Sequence, residues 1–367
     1  MSHVLDANTD GVLGMPLRRA TILTGISTMG DQILLFLVAR TLAFRCGDPR
    51  DHIFTLVGIA SDAARFNMDL IDYDTQAERV WQKLADGCVS DSLSLKLLWS
   101  LILFMPLKRR VRSWVPNLEN LVEHGDGSRL ASLFTVQQVR DFNASGALSV
   151  LQAHVDIGNK TLSIRGRILD RVQLLASDSQ RFGHTDIVKN LIDKDVRRVE
   201  ENISKMNRDI YLWLEECMAM ANGREAFRDA LLDDSLMVQS VPEGMEAAKN
   251  DFFTLMCFYK ALAYEADWRR SFKQHLNHQS SQLLGNLITE RAQRRFGRTE
   301  NGRLGWMPPV AEQGDLICVF DGMELPYAIR PGAEGRYYLI GECIITGIMM
   351  GEACLESPDE SETIILE

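Results

Sequence analysis

The chain has 367 residues, 46% hydrophobic and 25% charged, enough for a large core or two domains of an ordinary globule. Its formal charge of -10 works against a general nucleic-acid or anionic-membrane surface, since both repel an acidic protein at long range. The longest apolar runs, Ile33 to Val38 and Leu97 to Leu107, fall short of the roughly 20 residues that span a bilayer, and no basic-then-apolar leader opens the sequence, so a cytoplasmic location without stable membrane insertion is expected.

Residues 1–14 are polar and acidic enough for a flexible N-terminus, and a helical N-terminal region follows over 15–133. Its first helix is marked by Ile22, Leu23, Ile26, Met29, Ile33, Leu34, Leu37 and Val38 at helical spacing and ends at Gly47-Asp48-Pro49. Asp48 as N-cap with Pro49 at the first helical position starts a second helix, which Arg50 and Asp51 tie to its neighbours. Thr75 to Asp86 and Leu93 to Met105 are further helices. Over 134–180 the pattern turns to short alternating runs about Gly158-Asn159, a β-hairpin or small sheet. Helical periodicity resumes over 185–295. A β-rich region spans 300–356, with strands expected at Leu316 to Phe320, Tyr327 to Arg330, Tyr337 to Ile340 and Cys343 to Met349; an acidic tail, mobile or a docking arm, occupies 357–367. The expected fold is mainly α with a small β subdomain (α+β), its long helices arranged around an apolar cavity.

The seven scattered cysteines read as reduced, mostly core residues, and none pairs at metal-site spacing. The sequence carries no dinucleotide fingerprint, P-loop, nucleophile elbow or H-E-x-x-H pattern. His275 and His278 stand at i,i+3, where a solvated polar face competes with a metal pair. Gly341, Gly347 and Gly351 suit strand ends and tight turns, and Glu342 and Glu352 beside them read as ion-pair or turn partners rather than catalytic acids.

CGDPRDHIFTLVGIASDA from Cys46, SWVPNL at Ser113–Leu118, FNASG at Phe142–Gly146, IRGRILDRV at Ile164–Val172, GRTENGRLGWMPPVAEQGDLICVFDG from Gly297 and YYLIGECIITGIMMGEA from Tyr337 occur in that order. Together they resemble the region of fungal heterokaryon-incompatibility (HET) proteins that follows the effector block. The effector patterns around ALSYVWG and WIDAICINQ have no counterpart before Asp48, so the resemblance implies a HET scaffold without its effector.

Between Thr185 and Arg295 that resemblance is weakest, and aromatic and charged residues concentrate there. Phe252, Phe253, Tyr259, Tyr264 and Trp268 could wall a hydrophobic cavity whose ring faces stabilise a carbocation; a tightly packed core helix is the alternative. Asp229 and Asp233 share a helical face at i,i+4, with Asp234 beside them, and could hold Mg2+ against a phosphate or form a solvated surface. Arg269, Arg291 and Arg294 suit a diphosphate. On the helix from Gln282, Leu284 adds apolar wall and Asn286 with Glu290 a polar, metal-capable end.

A HET-like body of this length, enriched in helical aromatics, is also similar to the noncanonical sesquiterpene cyclases of fungal tropolone-sesquiterpenoid pathways, the α-humulene synthase class. That resemblance implies Mg2+-dependent ionisation of farnesyl diphosphate and closure to a macrocyclic hydrocarbon, with Asp229, Asp233 and Glu290 as catalytic groups, Asp229, Asp233 and Asp234 as metal ligands, and the arginines, Asn286, Leu284 and aromatics above as the substrate site. The D-D-x-x-D and N-S-E signatures of orthodox terpene synthases are absent. Two alternatives stand beside this reading: a non-enzymatic HET-related recognition or regulatory module, and a metal-free cyclase acting on a polyketide or meroterpenoid. The sequence leaves a monomer and a homodimer open.

Overall fold

The computed structural model describes residues 33–42, 46–66, 71–103, 105–119, 142–146, 150–177, 196–232, 242–264, 294–356 and 361–367. The chain divides into two compact units, one of Met1–Val139, Leu151–Ile164 and Ile365–Glu367, the other of Arg140–Val150 and Arg165–Ile364.

In the first unit, α1 (Leu34–Thr41) is buried at nearly every position, as a helix that is apolar all round must be. Asp62 Oδ1 accepts the Leu34 backbone N–H at 2.8 Å and so satisfies one orphan donor of its first turn. The second helix, α2 (Asp51–Val57), is preceded by the turn expected of Gly47-Asp48-Pro49. Asp48 caps that turn, accepting the Arg50 backbone N–H at 2.9 Å, and regular helix begins two residues later than the cap position implies. Arg50 also donates to the Tyr73 and Thr75 carbonyls, while the Tyr73 hydroxyl donates to Asp51 Oδ1 at 2.7 Å. The tying role expected of Arg50 and Asp51 is therefore borne out. Helix α3 (Ala77–Cys88) buries Val80, Trp81, Leu84, Ala85 and Cys88, the i, i+4, i+8 stripe of an amphipathic helix. Asp91 caps α4 (Ser92–Ser100) through its side chain, which accepts the Ser94 N–H at 2.9 Å. Just past that helix the buried Arg110 guanidinium collects the carbonyls of Ile102, Met105 and Ser113. A hairpin joins β1 (Ala153–Asp156) to the start of β2 (Thr161–Leu175) through residues 157–160, as the Gly158-Asn159 signal predicted.

The second unit overturns the mainly helical expectation. Its organising element is the larger part of a nine-stranded sheet, whose further strands are β3 (Arg295–Thr299), β4 (Leu304–Met307), β5 (Leu316–Phe320), β6 (Pro326–Pro331), β7 (Tyr337–Glu342), β8 (Ile344–Ile345) and β9 (Glu362–Leu366). The strands follow the order β5-β6-β7-β9-β2-β3-β4-β8, and β5 returns to pair with β2. That extra pairing closes β2, β5, β6, β7 and β9 into a five-membered ring. The β2–β5, β5–β6 and β6–β7 pairings are antiparallel. A ring with an odd number of strands cannot alternate throughout, so one of the two pairings that flank β9 is parallel and the sheet is mixed. Ring closure pairs β5 along both edges and leaves few free edges, and all five residues of β5 are buried.

Strand β2 is long because it serves four partners, β1, β3, β5 and β9. Gly166 to Arg171 pair with β5 and Val172 to Leu175 with β3. Register shifts at Ile168/Asp170 and Val172/Leu174 bend it from one partner to the next. Strand β3 begins where the sequence reading ended its helix, β4 lies inside the expected β-rich region at a place where no strand was expected, and β9 takes up residues expected to form a mobile tail or docking arm, with Ile364 and Leu366 fully buried. Among the described residues no helix is long and apolar enough to cross a membrane. Four of the seven free cysteines (Cys88, Cys217, Cys318 and Cys343) are buried, whereas Cys46 and Cys257 are exposed.

Candidate functional site

Three helices of the second unit carry most of the described candidate residues. They are α5 (Val196–Met220), α6 (Arg224–Leu231) and α7 (Pro242–Tyr264); the last begins on a proline, whose fixed φ suits a first helical position. A tight turn separates α5 from α6, with Asn222 in the left-handed region and the Gly223 N–H reaching back to the Met218 carbonyl at 3.0 Å. Helix α5 turns Trp213, Leu214, Cys217 and Met218 inward, and α7 contributes Phe252, Leu255, Met256 and Ala261.

The aromatic residues of these helices meet strands β3 and β4 in a closed cluster. Phe227 of α6 stands edge-on to Phe296 of β3 at 5.1 Å between centroids and lies 6.2 Å from Trp306 of β4 and 6.1 Å from Phe252. Phe296 and Trp306 are 5.0 Å apart, Trp213 lies 6.1 Å from Trp306, and the Trp306 indole N–H donates to the Ala230 carbonyl at 3.4 Å. Phe227, Phe252, Phe296 and Trp306 are fully buried. Ring pairs at these separations and tilts have the geometry of a packed interior, in which each ring face already has a protein neighbour. Phe252 thus stands where the alternative reading of the sequence, a core helix, puts it.

The remaining described candidates lie around this core. Phe253 packs edge-on against Phe252 at 5.5 Å, with the Arg228 guanidinium 5.9 Å from its ring centre. Tyr259 is partly buried, and desolvation pushes its phenol up. Tyr264 is 53% exposed; its ring meets Tyr211 edge-on at 5.9 Å, and Arg208 lies 5.2 Å from its centre. Tyr211 donates its hydroxyl to Glu215 at 3.0 Å, and Arg224 stands 3.9 Å from the same carboxylate. This surface cluster was not recognised as a unit in the sequence, although Arg208, Tyr211, Leu212 and Glu215 follow the i, i+3, i+4, i+7 spacing of one helical stripe. Asp229 is exposed and bonded to Arg228 at 2.8 Å. Among the described residues no group of three or more His, Cys, Asp or Glu is placed to hold a metal ion.

Arg294 is the candidate arginine whose surroundings are most sharply defined. Its guanidinium is buried against β7, donating to the Glu342 carbonyl at 2.6 Å and to the Glu342 carboxylate. Two more buried or half-buried pairs follow the same plan. Arg330 grips Asp315 through Nε at 2.7 Å and Nη2 at 3.1 Å, and Arg303 pairs with Asp170 at 3.2 Å. Each carboxylate is at most 2% exposed, so each arginine compensates the desolvation of a buried charge. Glu342 is the ion-pair partner the sequence suggested, and Glu352 is a turn partner, accepting the Met350 N–H at 2.8 Å. Gly347 and Gly351 occupy the positive-φ region expected of tight turns. The candidates Asp233, Asp234, Trp268, Arg269, Leu284, Asn286, Glu290 and Arg291, with His275 and His278, lie outside the described residues.

Comparison with known proteins points the same way as the sheet. The family model for the Het-6 beta-barrel domain matches residues 237–362, the segment that holds α7 and strands β3 to β8. Heterokaryon incompatibility protein 6, OR allele, of Neurospora crassa is 44% identical over 57 residues, which is 15% of this chain and 8% of that protein. The matched stretch is therefore a small part of the relative's length. No solved structure matches. These findings, with the sheet-rich fold, correct the reading of the chain as a lyase of the humulene-synthase class: the similarity lies with heterokaryon-incompatibility proteins, and none to a terpene cyclase supports that reading. Over its C-terminal third the chain is similar to the β-barrel domain of the Het-6 family.

Proposed function

We propose that this chain is a non-enzymatic recognition or regulatory module related to fungal heterokaryon-incompatibility proteins, acting through protein contacts rather than by turning over a small substrate. The carrying observation is the match of the Het-6 barrel domain to residues 237–362, a stretch that supplies β5, β6 and β7 to the closed strand ring. Internal pairing of the barrel's buried charges adds support. Arg294, Arg303 and Arg330 each meet a buried carboxylate of the chain itself, which is how a framework uses arginine. The close ring packing around Phe227 supports the same role.

The reading is tested by fusing two otherwise isogenic fungal strains, one expressing this chain and one lacking its gene, and scoring the viability of the fused compartments with a vital dye. The expected result is a viability difference that requires the chain and disappears when the gene is deleted from both strains. Equal viability in every pairing would overturn the proposal. So would metal-dependent release of hydrocarbon when purified protein is incubated with farnesyl diphosphate and Mg2+, with EDTA as control.

A further inference from the structure

Among the described residues, helix α5 packs one side against α6, α7 and β3 and leaves another side open. Along the open side the side chains change character in a regular order. Lys205 and Arg208 are exposed, Leu212 follows at 51% exposure, and Glu215 and Glu216 come next, partly exposed. Asp209 stands half-buried within the basic half and offsets part of its charge. Tyr264, also exposed, adjoins this stripe through its contacts with Tyr211 and Arg208. A stripe that runs basic, apolar, acidic is complementary to itself when a second copy is laid across it in the opposite direction.

We propose that this face of α5 joins two copies of the chain, antiparallel, about a two-fold axis at Leu212. With a rise of about 1.5 Å per residue, Arg208 lies roughly 6 Å along the helix on one side of Leu212, and Glu215 and Glu216 lie roughly 4.5 to 6 Å on the other. Antiparallel docking therefore puts the Arg208 of each copy beside the Glu215–Glu216 pair of the other. The two Leu212 side chains meet at the axis, and the exposed Tyr264 rings flank them. Tyrosine, leucine and arginine together are what a contact centre needs, apolar area with charge at its rim. A two-fold contact uses the same patch twice, so one charge gradient supplies two sets of ion pairs. Opposed helices also place the macrodipoles favourably. Within its own chain Glu215 accepts from Tyr211 and Glu216 from Ser177, so both carboxylates are held in place before any partner arrives.

The test is sedimentation and light scattering of the full chain across a micromolar dilution series, with circular dichroism to confirm that each variant is folded. Wild-type protein is expected to shift reversibly between one and two copies. Leu212→Arg, at an exposed position, sets two like charges face to face and is expected to give a monomer. Arg208→Glu is expected to weaken association by at least about tenfold, and the charge exchange Arg208→Glu with Glu215→Arg to recover most of that loss, because a self-complementary contact is indifferent to which end carries which sign. A protein that stays monomeric throughout the series overturns the proposal, as does a dimer unaffected by Leu212→Arg. A dimer weakened by Arg208→Glu and not recovered by the exchange overturns the antiparallel register.

Discussion

Replacing Arg294 by Met separates an arginine held for the fold from one held for a ligand. The side chains of Arg294 and Glu342 are 6% and 1% exposed, so removing the guanidinium leaves a carboxylate buried without its counter-charge. Breaking one half of a buried pair costs about 3–5 kcal/mol, two to nearly four powers of ten in the folding equilibrium. The donation to the Glu342 carbonyl is lost as well, worth about 1 kcal/mol. Replacing Glu342 by Met in the same protein removes the stranded charge, and the double variant is expected within about 2 kcal/mol of wild type, far closer than either single change. The assay is urea unfolding followed by circular dichroism, with midpoint and slope compared across the four proteins. If Arg294→Met costs less than about 1 kcal/mol, or if the double variant is no better than the single ones, the compensation argument fails. An arginine reserved for a ligand phosphate would leave the stability of the free protein nearly unchanged.

The aromatic cluster predicts that Phe227→Ala destabilises by about 3–5 kcal/mol in the same unfolding assay, because the ring touches Phe252, Phe296 and Trp306, while Phe253→Ala at the cluster's edge costs clearly less. At Gly305 a Cβ would stand 2.4 Å from the Ile344 carbonyl oxygen and 2.9 Å from Ile345 Cα, both backbone, so Gly305→Ala is expected to lose about 1–3 kcal/mol and to speed amide exchange across β4 and β8. The Arg50 guanidinium holds the Asp48 carboxyl down at about 2, against 3.8 ordinarily. A depressed carboxyl stabilises the fold above its ordinary value and loses that contribution as pH falls toward 2, so Asp48→Asn should lower stability at neutral pH and flatten the acid limb between about pH 4 and 2. An unchanged acid limb in that variant would remove the Asp48–Arg50 pair from the account.

The sequence could show what is settled within a few residues or one helical turn. Leu316 to Phe320 reads as a buried strand because a short, uninterrupted apolar run bounded by turns has few other uses, and Gly158-Asn159 marks its hairpin for the same local reason. The partner roles of Glu342 and Glu352 and the tying role of Arg50 were legible from charges set beside turn residues. Strand β3 was missed because its short stretch directly follows a run of helical periodicity, and β9 because acidic composition outweighed the alternation of Ile364 and Leu366.

The aromatic helices show the limit most plainly. A cavity wall and a packed core demand the same residues at the same spacing, so Phe252 could be read either way until Phe227, Phe296 and Trp306 were seen against it. By itself the sequence determined many of the local elements, a globule's composition and the resemblance to heterokaryon-incompatibility proteins, all of which reside in neighbouring residues. Only the tertiary structure decided that β2 and β5, about 150 residues apart, close a ring, and that Arg294 is committed to Glu342. Strand pairing and charge compensation depend on distances across the fold, and residue order does not encode these in any local pattern.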